Sequence, residues 1–226
     1  MKTAIVIPAR LQSTRLPNKP LLEKQGKPLI QHVWEKCMMT GFEVFVATDD
    51  EKIKHKVDDF GGQTIMTDPK APSGTDRCAQ AMAGTSFDRI INVQGDMPYI
   101  DPTQITQCAD ILESGADVGT LIYSMEESEL TNPNSVKCIA TPKGNLFDCR
   151  WFGRMAVSYG FHHAGIYAYT KKALGQYANW PEGQYEKIEK LEQLRWLENS
   201  YKILASKTDP IQGEINTPED YDSWIA

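Results

Sequence analysis

The stretch Ala4-Ile5-Val6-Ile7, running directly into Pro8-Ala9-Arg10-Leu11-Gln12-Ser13-Thr14-Arg15-Leu16-Pro17-Asn18-Lys19-Pro20, decides the fold. A short, unbroken apolar run rich in β-branched residues has the composition of a strand buried on both faces, as in a parallel sheet. The pattern repeats outward from it. Leu29 to Met39 reads as a helix, Val44 to Ala47 as a strand ending in Thr48-Asp49-Asp50, and Glu51 to Phe60 as a helix. Thr64 to Met66 reads as a short strand, Gly74 to Ala83 as a helix, and Arg89 to Val93 as a strand ending in Gln94-Gly95-Asp96. Strands alternating with helices at this spacing predict βαβ units, and so an α/β fold with a mostly parallel, Rossmann-like sheet flanked by helices.

After about Thr131 the rhythm changes. Val136 to Ala140, Leu146 to Cys149 and Gly165 to Tyr169 read as strands without regular helices between them, a sheet extension or small subdomain over about residues 131–180 of a single 1–226 domain. A helix is expected over Tyr185 to Asn199, with Ile188, Leu191, Leu194 and Leu197 at three-residue steps. A strand over Lys202 to Ala205 follows, then a short helix opened by Thr217-Pro218-Glu219-Asp220, where Thr217 has the chemistry of an N-cap and Pro218 suits the first helical position.

Composition narrows the class of function. The chain has 226 residues, 41% of them hydrophobic and 24% charged, which is enough to bury a sizeable core. With 24 basic against 30 acidic residues the formal charge is −6, which argues against nonspecific nucleic-acid binding. Local clusters of Arg and Lys still permit a small anionic ligand. The five cysteines show no metal-site spacing and fit a reducing compartment. The first apolar run is too short for a signal sequence, and no stretch approaches membrane-spanning length, so a cytoplasmic location is expected.

Three clusters carry candidate chemistry. The loop after the first strand holds Arg10, Arg15 and Lys19 together with the hydroxyls of Ser13 and Thr14. Guanidinium forks and backbone amides make a cradle for a triphosphate. The charge alone equally suits a solvated basic loop, but ligands of open α/β sheets bind beyond the carboxyl ends of strands, where this loop lies. The GxxxxGK[ST] pattern of a P-loop is absent. Asp96, just past an apolar strand, suits Mg²⁺, which is held by one or two carboxylates plus substrate phosphates; alone it would read as a turn cap. Gly95 beside it allows close backbone approach. In Pro72-Ser73-Gly74-Thr75-Asp76-Arg77, Ser73 or Thr75 is an N-cap candidate and Asp76 favours the helix dipole. Arg77 in that same first turn opposes the dipole, and so predicts a ligand or carboxylate partner.

Together these clusters resemble the cytidylyltransferases that activate 3-deoxy-manno-octulosonate (Kdo). The resemblance rests on Ile7-Pro8-Ala9-Arg10, Ser13-Thr14-Arg15-Leu16-Pro17, Lys19-Pro20-Leu21, Gly26-Lys27-Pro28, Ala47-Thr48-Asp49, Ser73-Gly74-Thr75-Asp76-Arg77 and Val93-Gln94-Gly95-Asp96. It continues through Asn132-Pro133-Asn134, Val136-Lys137, His163 with Gly165-Ile166-Tyr167, and Leu191-Glu192-Gln193-Leu194-Arg195, covering nearly the whole chain. It implies a homodimer in which the anomeric hydroxyl of the sugar attacks the α-phosphate of CTP and releases pyrophosphate, for lipopolysaccharide assembly. It implies that Pro8, Ala9, Arg10, Ser13, Arg15, Lys19, Ser73, Arg77 and Gln94 bind the nucleotide, with Arg10, Lys19 and Asp96 central to catalysis. Gln94, Arg150, His163, Tyr167, Glu186, Glu189 and Gln193 would contact the sugar, the last three lying within about a 60° arc if they share one helix. Mg²⁺ would be held by Asp96 and Asn216. The chain departs from the family's pattern at Met97 and Asn216, where carboxylates are usual, and in a shortened 150–163 segment. Other readings are a related acid sugar such as an 8-amino Kdo, or a non-catalytic nucleotide-binding homologue.

Overall fold

A computed structural model describes residues 1–13 and 15–225, in two compact units, 1–105 with 211–226 and 106–210. Thr14, whose hydroxyl was a candidate phosphate contact, lies outside the described residues.

The first unit is built on four parallel strands. Strand β1 is Thr3–Ala9, and Ala4, Ile5, Val6 and Ile7 within it have no exposed surface. The hairpin strands β2 (Glu23–Lys24) and β3 (Lys27–Pro28) lead into helix α1, Leu29–Met38. Strand β4 (Glu43–Thr48), helix α2 (Glu51–Asp59), strand β5 (Gln63–Met66), helix α3 (Gly74–Met82) and strand β6 (Arg89–Asn92) complete the alternation. In the order β5-β4-β1-β6, Ile5 stands opposite Val44 on one side and Ile91 on the other. The central strand is therefore apolar without alternation because both of its faces are covered. Asp50 caps α2 through Lys52 N at 2.8 Å, and Ser73 caps α3 through Asp76 N at 3.1 Å. These elements agree with the expected ones to within a residue or two.

The chain enters the second unit within helix α4 (Pro102–Asp110), and continues through strands β7 (Val118–Ser124), β8 (Lys137–Lys143), β9 (Leu146–Gly153) and β10 (Phe161–Thr170). Helices α5 (Lys171–Tyr177), α6 (Gln184–Glu189) and α7 (Leu194–Glu198) precede strand β11 (Ile203–Lys207). The pairing order is β10-β7-β11-β9-β8, and β8 pairs again with β10, so the order closes on itself. Only the β7–β11 pairing is parallel among these. Sequence patterning passed over α4, β7 and α5. In β7 the apolar run is broken by Gly119 and Thr120, each for a tertiary reason. A Cβ at Gly119 would come within 3.0 Å of Ile111, and the Thr120 hydroxyl bonds the carbonyls of Ala164 and Ile166 across the bulge in β10.

The continuous helix expected over Tyr185–Asn199 is two helices. Lys190 adopts the left-handed conformation (φ 56°) and ends α6, and α7 begins only at Leu194. The three-residue steps were misleading, because each falls about 60° short of a turn at 100° per residue and no common face persists. Ile188 is 65% exposed while Leu194 is fully buried. Charges hold the corner between α6 and α7. Glu198 accepts from the amides of Tyr185 and Glu186, and Arg195 grips Glu186. Consequently Glu186, Glu189 and Gln193 do not share one helical face.

In the first unit again, helix α8 (Pro218–Ser223) starts at the Thr217 cap, with a reciprocal bond from Thr217 N to Asp220. Its flank packs Ile215 and Trp224 against Leu16 and Leu29. Among the described residues no helix is long and apolar enough to cross a membrane.

Candidate active site

The carboxyl ends of β1, β5 and β6 all deliver loops to the same edge of the first unit's sheet, and a cleft of about 330 Å³ opens there. Pro8, Ala9, Arg10, Ser13, Arg15, Lys19, Ser73, Arg77, Gln94, Asp96 and Asn216 all line it. Apart from Thr14, which lies outside the described residues, the residues expected to bind nucleotide or metal thus meet in one cavity. Four cations and one carboxylate are among its lining residues, in a chain whose net charge is −6. That local surplus suits a polyanion.

Local structure sets each of these side chains. Asn18 takes the left-handed conformation (φ 55°), which Asn tolerates better than most residues, and turns the chain into a short 3₁₀ helix that begins at Lys19. The Lys19 ammonium donates to Asp96 Oδ2 at 2.6 Å and to Asn216 Oδ1 at 3.1 Å. Asp96 Oδ1 is buried and has no hydrogen-bond partner. A Cβ on Gly95 would lie 3.3 Å from the Pro8 carbonyl and 3.4 Å from Ile30, so the close approach expected of this glycine is present. Gln94 is steered by its bond to Asn92 Oδ1 at 3.0 Å. Arg10 and Arg15 are exposed at the rim.

Asn216 reaches the cleft from the far end of the chain. Ile215 N donates to the Asp96 carbonyl at 2.9 Å, and Asn216 N donates to Asp220 Oδ2 at 2.9 Å. Glu214, the carboxylate nearest to Asn216 in sequence on its N-terminal side, accepts from Asn216 Nδ2 at 2.9 Å. Met97 is buried, an apolar side chain in the core.

Arg77 has the partner its position demanded. Its buried guanidinium lies 3.2 Å from Asp49 Oδ1 and donates to Thr67 Oγ1 at 2.5 Å. The Asp49 contact meets the distance of an ion pair without the angle of a hydrogen bond, since Asp49 Oδ1 has no hydrogen-bond donor. Asp49 was visible only as part of a motif, and its role needed the fold. Replacing Asp49 with Ala leaves a buried cation without its counter-charge, and is expected to lower stability by about 1–3 kcal/mol in urea denaturation. Added triphosphate should raise the Tm of this variant more than that of the parent, because the anion takes over the missing charge. Equal shifts would show that Arg77 does not face the anion.

The six other residues expected to touch sugar, besides Gln94, lie in the second unit. Arg150 is exposed and paired with Asp148 at 3.0 Å. Glu189 accepts from Arg154 N at 2.9 Å, Tyr167 is buried beside His163, and Gln193 is buried with no partner for Nε2. Both carboxylate oxygens of Glu186 are bound by Arg195, at 2.7 and 2.6 Å.

His163 is buried, with Nε2 3.0 Å from the Thr120 hydroxyl. Burial first, and neighbouring His162 second, push its pKa down to about 3, so the ring is neutral near pH 7. A folded pKa below the unfolded value near 6.5 means that the unfolded chain binds the extra proton. The neutral ring therefore holds its full stability above about pH 6.5 and loses it as pH falls towards 3. Between pH 7.5 and 4.5 the parent should lose up to about 2–3 kcal/mol more stability than His163→Gln, measured by urea denaturation at both pH values. Parallel losses would refute the assignment.

A parallel sheet delivering a cleft lined by four cations and one carboxylate has the make-up of a nucleotidyltransferase site. The pattern that describes the cytidylyltransferase family matches residues 4–203, and the chain belongs to that family. An 8-amino-3,8-dideoxy-manno-octulosonate cytidylyltransferase of Shewanella halifaxensis is 40% identical, over 97% of this chain and 96% of that protein. A 3-deoxy-manno-octulosonate cytidylyltransferase of Paramagnetospirillum magneticum is 41% identical, over 96% and 93%. A CMP:2-keto-3-deoxy-manno-octonic acid synthetase solved with CTP superposes with a TM-score of 0.92 at 36% identity, covering 98% and 96% of the two chains. UDP-glucose pyrophosphorylase shares the fold at 14% identity and a TM-score of 0.72.

Proposed function

We propose that this enzyme transfers the cytidylyl group of CTP to 3-deoxy-manno-octulosonate or its 8-amino relative, giving the CMP-sugar and pyrophosphate. The observation that carries the reading is the single cleft holding Arg10, Arg15, Lys19, Arg77, Gln94 and Asp96. The anomeric hydroxyl oxygen attacks the α-phosphorus, the bond to the bridging oxygen of the β-phosphate breaks, and pyrophosphate leaves with that electron pair. The hydroxyl proton passes to solvent. Arg10, Arg15 and Lys19 hold the triphosphate and take up charge that develops on the leaving pyrophosphate, so positioning and electrostatics supply most of the rate.

The cleft suits Mg²⁺, because Asp96 offers a buried oxygen without a partner and Asn216 offers an amide oxygen beside it. These two residues would hold the ion, which when bound neutralises phosphate charge. In the second unit Arg150 offers an exposed cation for the sugar carboxylate, whereas Glu186 is committed to Arg195 and is not free to take a sugar hydroxyl. We place the enzyme in the cytoplasm, consistent with five free, buried thiols, as a homodimer serving lipopolysaccharide assembly. Sedimentation tests the dimer. The deciding assay is pyrophosphate release from CTP, set against UTP and ATP, with both octulosonates. Turnover of neither sugar would overturn the reading, and the ratio of their kcat/KM assigns the substrate.

A further inference from the structure

Lys19 occupies the position in the cleft where a metal cation would be expected. Its ammonium lies between Asp96 Oδ2 and Asn216 Oδ1, at 2.6 and 3.1 Å, and is only 18% exposed. Asn216 is neutral, so the seat carries one negative charge, and one ammonium cancels it. Around the seat stand Arg10, Arg15 and Arg77. A divalent ion approaching the nucleotide-free cleft therefore meets a lining rich in cations and an acidic ligand whose Oδ2 is already held by Lys19. A nucleoside triphosphate brings roughly four negative charges, which reverses that sign. It also offers the Lys19 ammonium, at the end of a flexible stem, phosphate oxygens in place of Asp96.

We propose that Lys19 is an internal stand-in for the metal ion: it closes the Asp96–Asn216 seat in the nucleotide-free protein and yields it when a triphosphate binds. The divalent site is then completed by the nucleotide, and metal and nucleotide strengthen each other's binding by the same factor. This rests on reading the cleft as a triphosphate site.

The test uses the full-length protein and Mn²⁺ as probe, counting free ion by electron paramagnetic resonance, with and without α,β-methylene-CTP. Nucleotide binding is measured separately by calorimetry in EDTA. The parent should bind Mn²⁺ at least about tenfold more tightly with the analogue than without it, within the usual range for coupled sites. Lys19→Met should tighten binding of Mn²⁺ alone by about tenfold or more, by freeing Asp96. Asn216→Asp should tighten it as well, by leaving the seat one charge short of neutral, and it keeps the test open if Lys19→Met does not fold. Equal Mn²⁺ affinity with and without analogue, or no gain in either folded variant, overturns the stand-in while leaving the cytidylyltransferase reading intact. Failure of the parent to bind the analogue under any condition overturns both.

Discussion

Replacing Arg195 with Met is expected to destabilise the protein by about 3–5 kcal/mol, among the largest effects any single substitution should have here. The guanidinium is 2% exposed and holds both oxygens of Glu186, while lying 4.1 Å from the centre of the Tyr177 ring. Without it, Glu186 is left as a buried, uncompensated charge. Replacing the pair together, as Arg195→Met with Glu186→Leu, should restore part of the loss, because the stranded charge goes with its partner. Urea denaturation of the two single variants and the double variant at pH 7.5 measures the coupling. A loss under about 1 kcal/mol for Arg195→Met would show that the pair does not fix the corner between α6 and α7.

Asp96→Asn should lower kcat by about 10²–10³-fold, the range for removal of one preorganised charged group from a reaction centre. The substitution keeps the shape and a hydrogen-bonding oxygen but removes the negative charge. Affinity for CTP in EDTA should hold or improve, because the carboxylate no longer repels phosphate and Lys19 is released towards it. A fall in kcat with CTP binding retained separates loss of charge from loss of the cleft. A variant within tenfold of the parent would remove Asp96 from the reaction.

What could be read before folding, and what could not, follows from the range of the interactions involved. The strands β1, β4 and β6 were legible because parallel strands buried on both faces must be apolar without interruption, a property of consecutive residues. The caps at Ser73 and Thr217 were legible because they act within one turn. The loop from Arg10 to Lys19 could be placed at the ligand edge because it directly follows the first strand. By contrast, β7 was hidden by Gly119 and Thr120, whose fit depends on Ile111 and on the bulge in β10. The break at Lys190 was hidden too, since residues on either side of it, Glu186, Arg195 and Glu198, secure the corner through side-chain bonds.

The sequence by itself determined the α/β alternation, the triphosphate loop and, through resemblance, the family. Those features are set by neighbours along the chain or by motifs that survive as strings. Only the tertiary structure decided the pairing of Lys19 with Asp96 and Asn216, and of Arg77 with Asp49 and Thr67. Asn216 is brought to Asp96 by the bond from Ile215 N and by the packing of Ile215 and Trp224 on Leu16 and Leu29. Burial of apolar side chains has no sequence range, so a contact between residues 96 and 216 exists only once the core that carries them has closed.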